Sequence, residues 1–414
     1  MPRQVTVLGA GIVGISCALE LQRRGFQVTL IDRCEPGAET SSGNAGILSY
    51  SNVTPLAAPE ILHRCLRLLF NRETDFRLHY PHLLSLMPWM SRFIRRCRSS
   101  VYLHDGNAMS DLTLPSIEMH REWIAQAGVE HLVNSGAGGL KLYRSEQTFL
   151  RDSLERELLA NCGIRYQEMS AEDAYALEPS LNRIFARAVH IEDSISLRNP
   201  QKLCAAYADL FRKAGGEFRL AQVRAVQQDE AGWILIGEQG EETVEELVLC
   251  LGAWTPELLS PLGYRNPLAI ERGYHTIFAP AEGHGLSRPI FDCDASYVMA
   301  PMEMGLRVST GTNLVRREAS PDPTQVGLVI PRVREAFPVG EVLLDEPWMG
   351  RRPTVPDTLP LIGAAPRHRN LWLAFGHSHM GLTMGPISGR LIANFVQGEQ
   401  QPFDVSPCDP ARYL

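Results

Sequence analysis

The sequence predicts an α/β (α+β) protein of two interleaved domains, one built on parallel strands alternating with helices and the other on an antiparallel sheet. Three observations carry this. The chain opens on an apolar β-branched run, a glycine-rich turn and a helical pattern. It closes on a second apolar run, glycine loop and helix, and between the two lie short strand patterns broken by turn residues. At 414 residues it also exceeds the size at which one hydrophobic core keeps growing, so more than one domain is expected.

Composition narrows the class. Hydrophobic residues are 44% and charged residues 21%, ordinary for a globular chain. A net charge of −7 argues against a nucleic-acid binder, which would present a basic surface. Nine cysteines stand singly, without a C-x-x-C pair or a metal-type spacing, so reduced thiols and no metal site are expected. No run approaches the length of apolar sequence that spans a bilayer. The first forty residues lack a signal-peptide pattern, belong to the fold, and point to a cytoplasmic protein.

The elements follow in order. "QVTVLGAG" reads as a buried strand, "IVGISCALELQRRG" as a helix with a glycine stop, and "FQVTLID" as a second strand. Gly9, Gly11 and Gly14 therefore sit in a G-x-G-x-x-G turn between strand and helix, with an acid, Asp32, about twenty residues on. Each has a mechanical role in a Rossmann-like dinucleotide site. Gly9 permits the tight turn, Gly11 lets backbone approach a pyrophosphate, and Gly14 lets helix and strand pack closely. Ile12 and Val13 open the helix, whose free N–H groups meet the phosphates, and Asp32 accepts hydrogen bonds from ribose hydroxyls. The next stretch, "RCEPGAETSSGNAGILSYSN", is too rich in small polar residues to be a core element. Its Arg33, Ser41, Ser42, Asn44, Ala45 and Gly46 suit a second contact with a pyrophosphate and a flat ring.

"ETSSGNAG" after such a fingerprint resembles the D-amino-acid dehydrogenase branch of the flavin amine oxidoreductases, which includes D-amino-acid oxidase, glycine oxidase and sarcosine oxidase. "WMGRRPTVPDTLPLIG", 348 to 363, is similar to that family's G-x-R-P-x-x-P-D-x-x-P-x-I-G segment. "LVLCLGAWTPELL", 247 to 259, and "NLWLAFGHSHMGLTMGPISGRLIANFV", 370 to 396, resemble its returning and closing elements. The resemblance implies a Rossmann-like FAD-binding domain at 1–60, 198–225, 244–265 and 345–414, interleaved with a substrate domain at 61–197 and 266–344. It places Gly252, Trp254, Gly350, His379, Gly381, Leu382 and Thr383 beside the flavin and Val223 beside the adenine. The residues agree: a second helix N-terminus after an apolar strand can stabilise negative charge on a flavin ring, and a nicotinamide enzyme has no need of it. Some relatives tether the flavin through a cysteine near the closing loop or a histidine near the first. Here no cysteine lies between Cys293 and Cys408 and position 44 is Asn, so non-covalent FAD is expected.

Residues 197–228 read as loop, helix, turn and strand, and "WILIGEQGEETVEELVLC" as a hairpin turning at Gly237 and Gly240. The segment 61–100 carries eight arginines (64, 67, 72, 77, 92, 95, 96, 98) against Glu73 and Asp75. Leucines, methionines, Trp89, Phe93 and Ile94 interleave with that charge. The first expectation is a helix packing its apolar side on its own domain with the arginines solvated. The second is a peripheral contact with the inner face of an anionic membrane.

The implied chemistry is oxidation of a neutral D-amino acid, D-proline or D-hydroxyproline by hydride transfer from Cα to flavin N5, in amino-acid catabolism. Electrons pass to a quinone or an electron-transfer protein. Two alternatives are a glycine/sarcosine-type oxidase that uses oxygen and a flavoprotein subunit active only in a complex. Arg352 matches the family arginine that holds the substrate carboxylate, which a planar guanidinium grips through two parallel bonds. Tyr274, in "ERGYHTIF", is a second carboxylate contact or gate, and Tyr50 a lid or pocket residue. Arg351 occupies a position that is usually apolar and is read as structural.

Overall fold

The computed structural model describes residues 2–62, 71, 74, 76–134, 136, 138–238 and 240–414. Its first sheet has six strands in the order Leu361–Ala364, Leu371–Phe375, Glu246–Leu249, Gln4–Leu8, Gln27–Asp32 and Glu217–Leu220. All are parallel except Leu361–Ala364 at one edge. Val5, Val7 and Leu8 are buried on both faces of the strand, as a central parallel strand covered by helices requires. The opening helix, Ile12–Arg23, lies against the closing helix, Gly381–Gln397. A Cβ added at Gly389 would collide with the Ser16 carbonyl, so glycine there sets how closely the two helices approach.

A long helix, Ser99–Ala127, packs on the closing helix and on Pro200–Lys213. Its Met109, Leu112, Ile117 and Trp123 share one apolar cluster with the opening and closing helices. Buried polar bonds fix the contact. Ser116 Oγ donates to the Thr383 carbonyl at 2.7 Å, while His120 reaches Tyr207 Oη at 2.8 Å and the Leu382 carbonyl at 2.9 Å.

The second large sheet is mostly antiparallel. Ala269–Pro280 and Gly305–Val315 form its centre, with Tyr297–Met302, Ile290–Asp292 and Gly139–Tyr143 continuing to one side. Trp348–Thr354 pairs with Ala269–Pro280 from the other side. The hairpin read from sequence is present: Trp233–Gly237 and Gly240–Val244 pair antiparallel, and Val223–Gln228 completes a small three-stranded sheet.

Helix Leu83–Arg96 satisfies the packed expectation on one side only. Leu86, Trp89 and Met90 cluster with Ala269 and Leu314, and Trp89 Nε1 donates to the Thr354 carbonyl at 3.0 Å. Leu84, Met87 and Ile94 remain 86%, 51% and 42% exposed, so the helix presents a second apolar stripe outward. Arg64, Arg67, Arg72, Glu73 and Asp75 lie outside the described residues. Among the described residues no helix is long and apolar enough to cross a membrane.

Candidate active site

A cavity of about 710 Å³ runs from the first glycine turn, across the face of the second sheet, to the closing loop. At its first end the backbone is built by glycine. Gly9 has φ +105°, and a Cβ there would come within 2.5 Å of the Cys250 carbonyl oxygen. A Cβ at Gly14 would collide with the Gly9 carbonyl, so Gly14 serves packing and does not line the cavity. Asp32 props the turn. Its Oδ2 accepts from Ala10 N at 2.6 Å and Oδ1 from Cys34 N at 2.9 Å, and the side chain faces the cavity with further lone pairs to offer.

Ser41 Oγ accepts from Ile12 N at 3.2 Å, tying the small-residue loop to the helix start. Gly11, Ile12, Val13, Asn44, Ala45, Val223 and Gly252 line the same space. Arg33 and Trp254 form one of its walls, the guanidinium carbon 4.4 Å from the indole centroid. Ser42 and Gly46 do not line it: Ser42 Oγ donates to the Glu39 carbonyl, and Gly46 N donates to Asn44 Oδ1.

At the far end the isolated bridge between Thr354 and His377 and the bond from Ser378 N to the Pro353 carbonyl (3.0 Å) bring the closing loop onto strand Trp348–Thr354. His379, Gly381 and Leu382 line the cavity. Thr383 does not, because its hydroxyl accepts from Asn52 Nδ2 at 2.9 Å. Burial holds His377 down at about 3 and His379 down at about 4, the latter helped by the Arg352 charge, so both are neutral across the working range. Ser378, with φ +51°, has a buried hydroxyl without a partner among the described residues.

Arg352 projects into the middle of this cavity. Its guanidinium lies directly over Gly273 on the neighbouring strand, where any Cβ would displace it. Nη1 donates to the Gly311 carbonyl at 3.3 Å, and among the described residues no carboxylate is within ion-pair reach. Burial lowers its pKa, opposed by the charge of Glu271. Glu271 is its direct cross-strand partner, pushed up to about 6 by burial against the pull of Arg352. Gly350, two residues before Arg352, faces Gly273 on the same side of the sheet.

The structure also brings in residues that sequence reasoning passed over. Trp348 stacks on His275, centroids 4.8 Å apart and planes at 14°, and its ring packs against Gly43 and Gly350. Arg307 Nη1 donates to the Ser42 and Asn44 carbonyls at 3.1 and 2.6 Å, holding the small-residue loop from the sheet. Burial first, and then the Arg307 charge, hold His275 down at about 3. Among the described residues the hydroxyl of Ser309 and Nδ1 of His275 are buried without partners. The signal was strand parity: His275, Gly273 and Glu271 pair in register with Trp348, Gly350 and Arg352 and share their face.

Tyr274 lines the cavity, but its hydroxyl accepts from Asp322 N at 2.8 Å. Tyr50 is not brought to the site; its hydroxyl hydrogen-bonds the Glu118 carboxylate on the long helix. Arg351 has its guanidinium carbon 5.8 Å from the centroid of the Trp254 ring. Several strands across the sheet from Arg352, the cavity meets Lys141, whose Nζ donates to Asp152 at 2.9 Å and to Glu155 at 2.5 Å. Among the described residues no group of His, Cys, Asp and Glu can hold a metal ion.

The cradle fits a flavin dinucleotide. It offers glycine backbone and a helix start for the phosphates, an acid for ribose, and a second helix start flanked by an unpartnered serine hydroxyl at the ring end.

Residues 4–395 match the model of the DAO family, described as FAD dependent oxidoreductase. A D-amino-acid oxidase of Bradyrhizobium diazoefficiens is 30% identical over 425 residues, covering 100% of this chain and 99% of that protein. A D-amino acid dehydrogenase of Rhizobium rhizogenes is 29% identical over 436 residues, covering 99% of this chain and 100% of that one. Among solved structures, glycine oxidase from Geobacillus kaustophilus superposes with a TM-score of 0.74 at 21% identity over the whole of both chains. L-proline dehydrogenase from P. horikoshii superposes with a TM-score of 0.71 at 17% identity, over 100% of this chain and 98% of that one.

Proposed function

From the premise that the chain belongs to the DAO family of FAD-dependent oxidoreductases, we propose that it dehydrogenates D-amino or D-imino acids held by their carboxylate on Arg352. The observation that carries this is the state of Arg352: a cation deep in the cavity, with one carbonyl partner and no carboxylate within ion-pair reach among the described residues. A buried guanidinium left so is costly unless a ligand anion completes it. The names of the full-length relatives supply the substrate class, D-amino acids. Non-covalently bound FAD supplies the two-electron acceptor for the Cα hydride.

The protein's own part is binding, orientation and dryness. Arg352 fixes the carboxylate, and with it the direction in which Cα faces the ring. Trp348 and His275 form a flat wall beside it, and neutral histidines keep the ring end free of competing charge. Tyr274 lines the cavity, and its hydroxyl, which accepts from Asp322 N, keeps an O–H to donate.

Electrons then pass to a quinone or an electron-transfer protein. The outward stripe Leu84, Met87 and Ile94, beside the exposed Arg92 and Arg95, supports seating on an anionic bilayer where such a quinone would be reached. Release to oxygen is the second reading, favoured by the oxidase among the relatives. The test is anaerobic reduction of the purified holoenzyme by D-amino and D-imino acids, with L-enantiomers, glycine and sarcosine as controls. Bleaching of the flavin bands by a D-substrate alone is expected; bleaching by none of them removes the proposal. Stoichiometric peroxide in air favours the oxidase reading.

A further inference from the structure

We propose that Glu271 makes substrate binding proton-coupled: it balances the Arg352 charge in the free enzyme and takes up one proton when the substrate carboxylate replaces it. The inference rests on reading Arg352 as the carboxylate clamp.

The geometry is that of a cross-strand pair. Glu271 and Arg352 are directly opposed in the register of Ala269–Pro280 and Trp348–Thr354, on one face of the sheet. Cβ atoms so placed are about 5 Å apart. The two side chains do not close into an ion pair, because the guanidinium is drawn over Gly273 toward the Gly311 carbonyl. Glu271 is 5% exposed, so its charge is sustained chiefly by a cation held at one remove.

The surroundings leave Glu271 no other counter-charge among the described residues. Along its own strand, Arg272 is turned away and donates to the carbonyls of Arg317, Ala319 and Ser320. On the paired strand, Arg351 lies by Trp254, and Thr354 is uncharged, its hydroxyl buried without a partner among the described residues. On the other side Leu314 is its partner, and the helix packed over this end contributes Leu86 and Trp89 to the contact, its Arg92 and Arg95 being exposed and its Arg96 paired with Asp105. From the closing loop, His377 and His379 are neutral.

A carboxylate arriving on Arg352 spends the charge that keeps Glu271 ionised and adds a like charge beside it. Both effects favour the neutral acid. By linkage, a ligand that drives uptake of one proton loses affinity tenfold per pH unit above the free-enzyme titration of Glu271, near 6, until the titration in the complex is passed. Glu271 is thus a positioning residue: it touches no reacting atom and acts through Arg352.

The experiment is calorimetric binding of propionate, a carboxylate with no amine to titrate, to the FAD-loaded enzyme in buffers of different ionisation enthalpy. Uptake approaching one proton is expected at about pH 7, with affinity falling about tenfold per unit above it. Glu271→Gln should abolish both the uptake and the pH dependence while keeping the flavin spectrum and the melting temperature. Zero uptake in the wild type overturns the proposal whether or not the variant folds. Uptake that survives in Glu271→Gln assigns the proton elsewhere and also overturns it. If instead propionate binds unchanged to Arg352→Met, the clamp reading itself has failed.

Discussion

Replacing Arg352 by Met tests the site most directly, because a catalytic clamp and a structural arginine give opposite signatures. The guanidinium spends one N–H on the Gly311 carbonyl at 3.3 Å, leaving about four of its five donors for a ligand. Removing one partner of a buried, hydrogen-bonded charge pair costs about 2–5 kcal/mol. At about 1.36 kcal/mol per decade, kcat/KM should fall by roughly 30- to 5,000-fold. Stability should move the other way. The substitution removes a desolvated cation, and near pH 6 the carboxyl of Glu271, already pushed up to about 6, can take a proton at little cost. A melting temperature equal to or above wild type, with full flavin content, is therefore expected at that pH. An Arg352→Met enzyme that melts several degrees lower while its kcat/KM stays within about tenfold of wild type would make Arg352 a structural arginine and not a clamp.

The same geometry makes Gly273→Ala informative: its Cβ would displace the Arg352 guanidinium, so steady-state kinetics should show KM raised about tenfold or more with flavin retained. Glu155, pushed up to about 7 by burial despite Lys141, binds a proton in the native state that the unfolded chain releases above about 4.5. Stability should therefore fall as pH rises from about 4.5 to about 7, and Glu155→Gln should flatten that window in urea titrations; an unchanged pH slope counts against it. Changing Leu84, Met87 and Ile94 together to Ser should leave kcat intact and cut co-sedimentation with phosphatidylglycerol vesicles, whereas equal binding by both proteins excludes the stripe.

What the sequence made legible is local. Gly9, Gly14 and Asp32 each answer a constraint set within thirty residues: a positive φ, a helix–strand contact, and two backbone N–H groups to accept. Arg352 was legible through a motif that travels with its own strand. Trp348, His275 and Glu271 were not, because their roles exist only once residues 269–280 and 348–354 pair in one register across some seventy intervening positions. The two tyrosines divide for the converse reason. Tyr50 is held by Glu118, sixty-eight positions away and off the cavity, whereas Tyr274 lines the cavity and accepts from Asp322 N, forty-eight positions away, with its own O–H left to donate. For 61–100 the sequence offers packing on its own domain or a membrane contact, and the helix at 83–96 packs Leu86, Trp89 and Met90 while leaving Leu84, Met87 and Ile94 exposed.

The charge pattern of the cavity also dictates where the pH dependence of turnover originates. Burial keeps His275, His377 and His379 neutral, with values of about 3, 3 and 4, so none can exchange a proton with the substrate amine near neutrality. Hydride departs only from a neutral amine, so kcat should rise with pH and level off at a value set by the bound substrate's own amine. Glu271 acts in the opposite sense, weakening carboxylate binding as it ionises, so kcat/KM should pass through a maximum between the two titrations. The alkaline rise of kcat should then move in step with amine basicity across a substrate series, while the acidic feature of KM stays fixed. A kcat inflection at one pH for every substrate would mean that a protein base takes the amine proton, so that clamp, counter-charge and substrate do not divide the proton chemistry in this way.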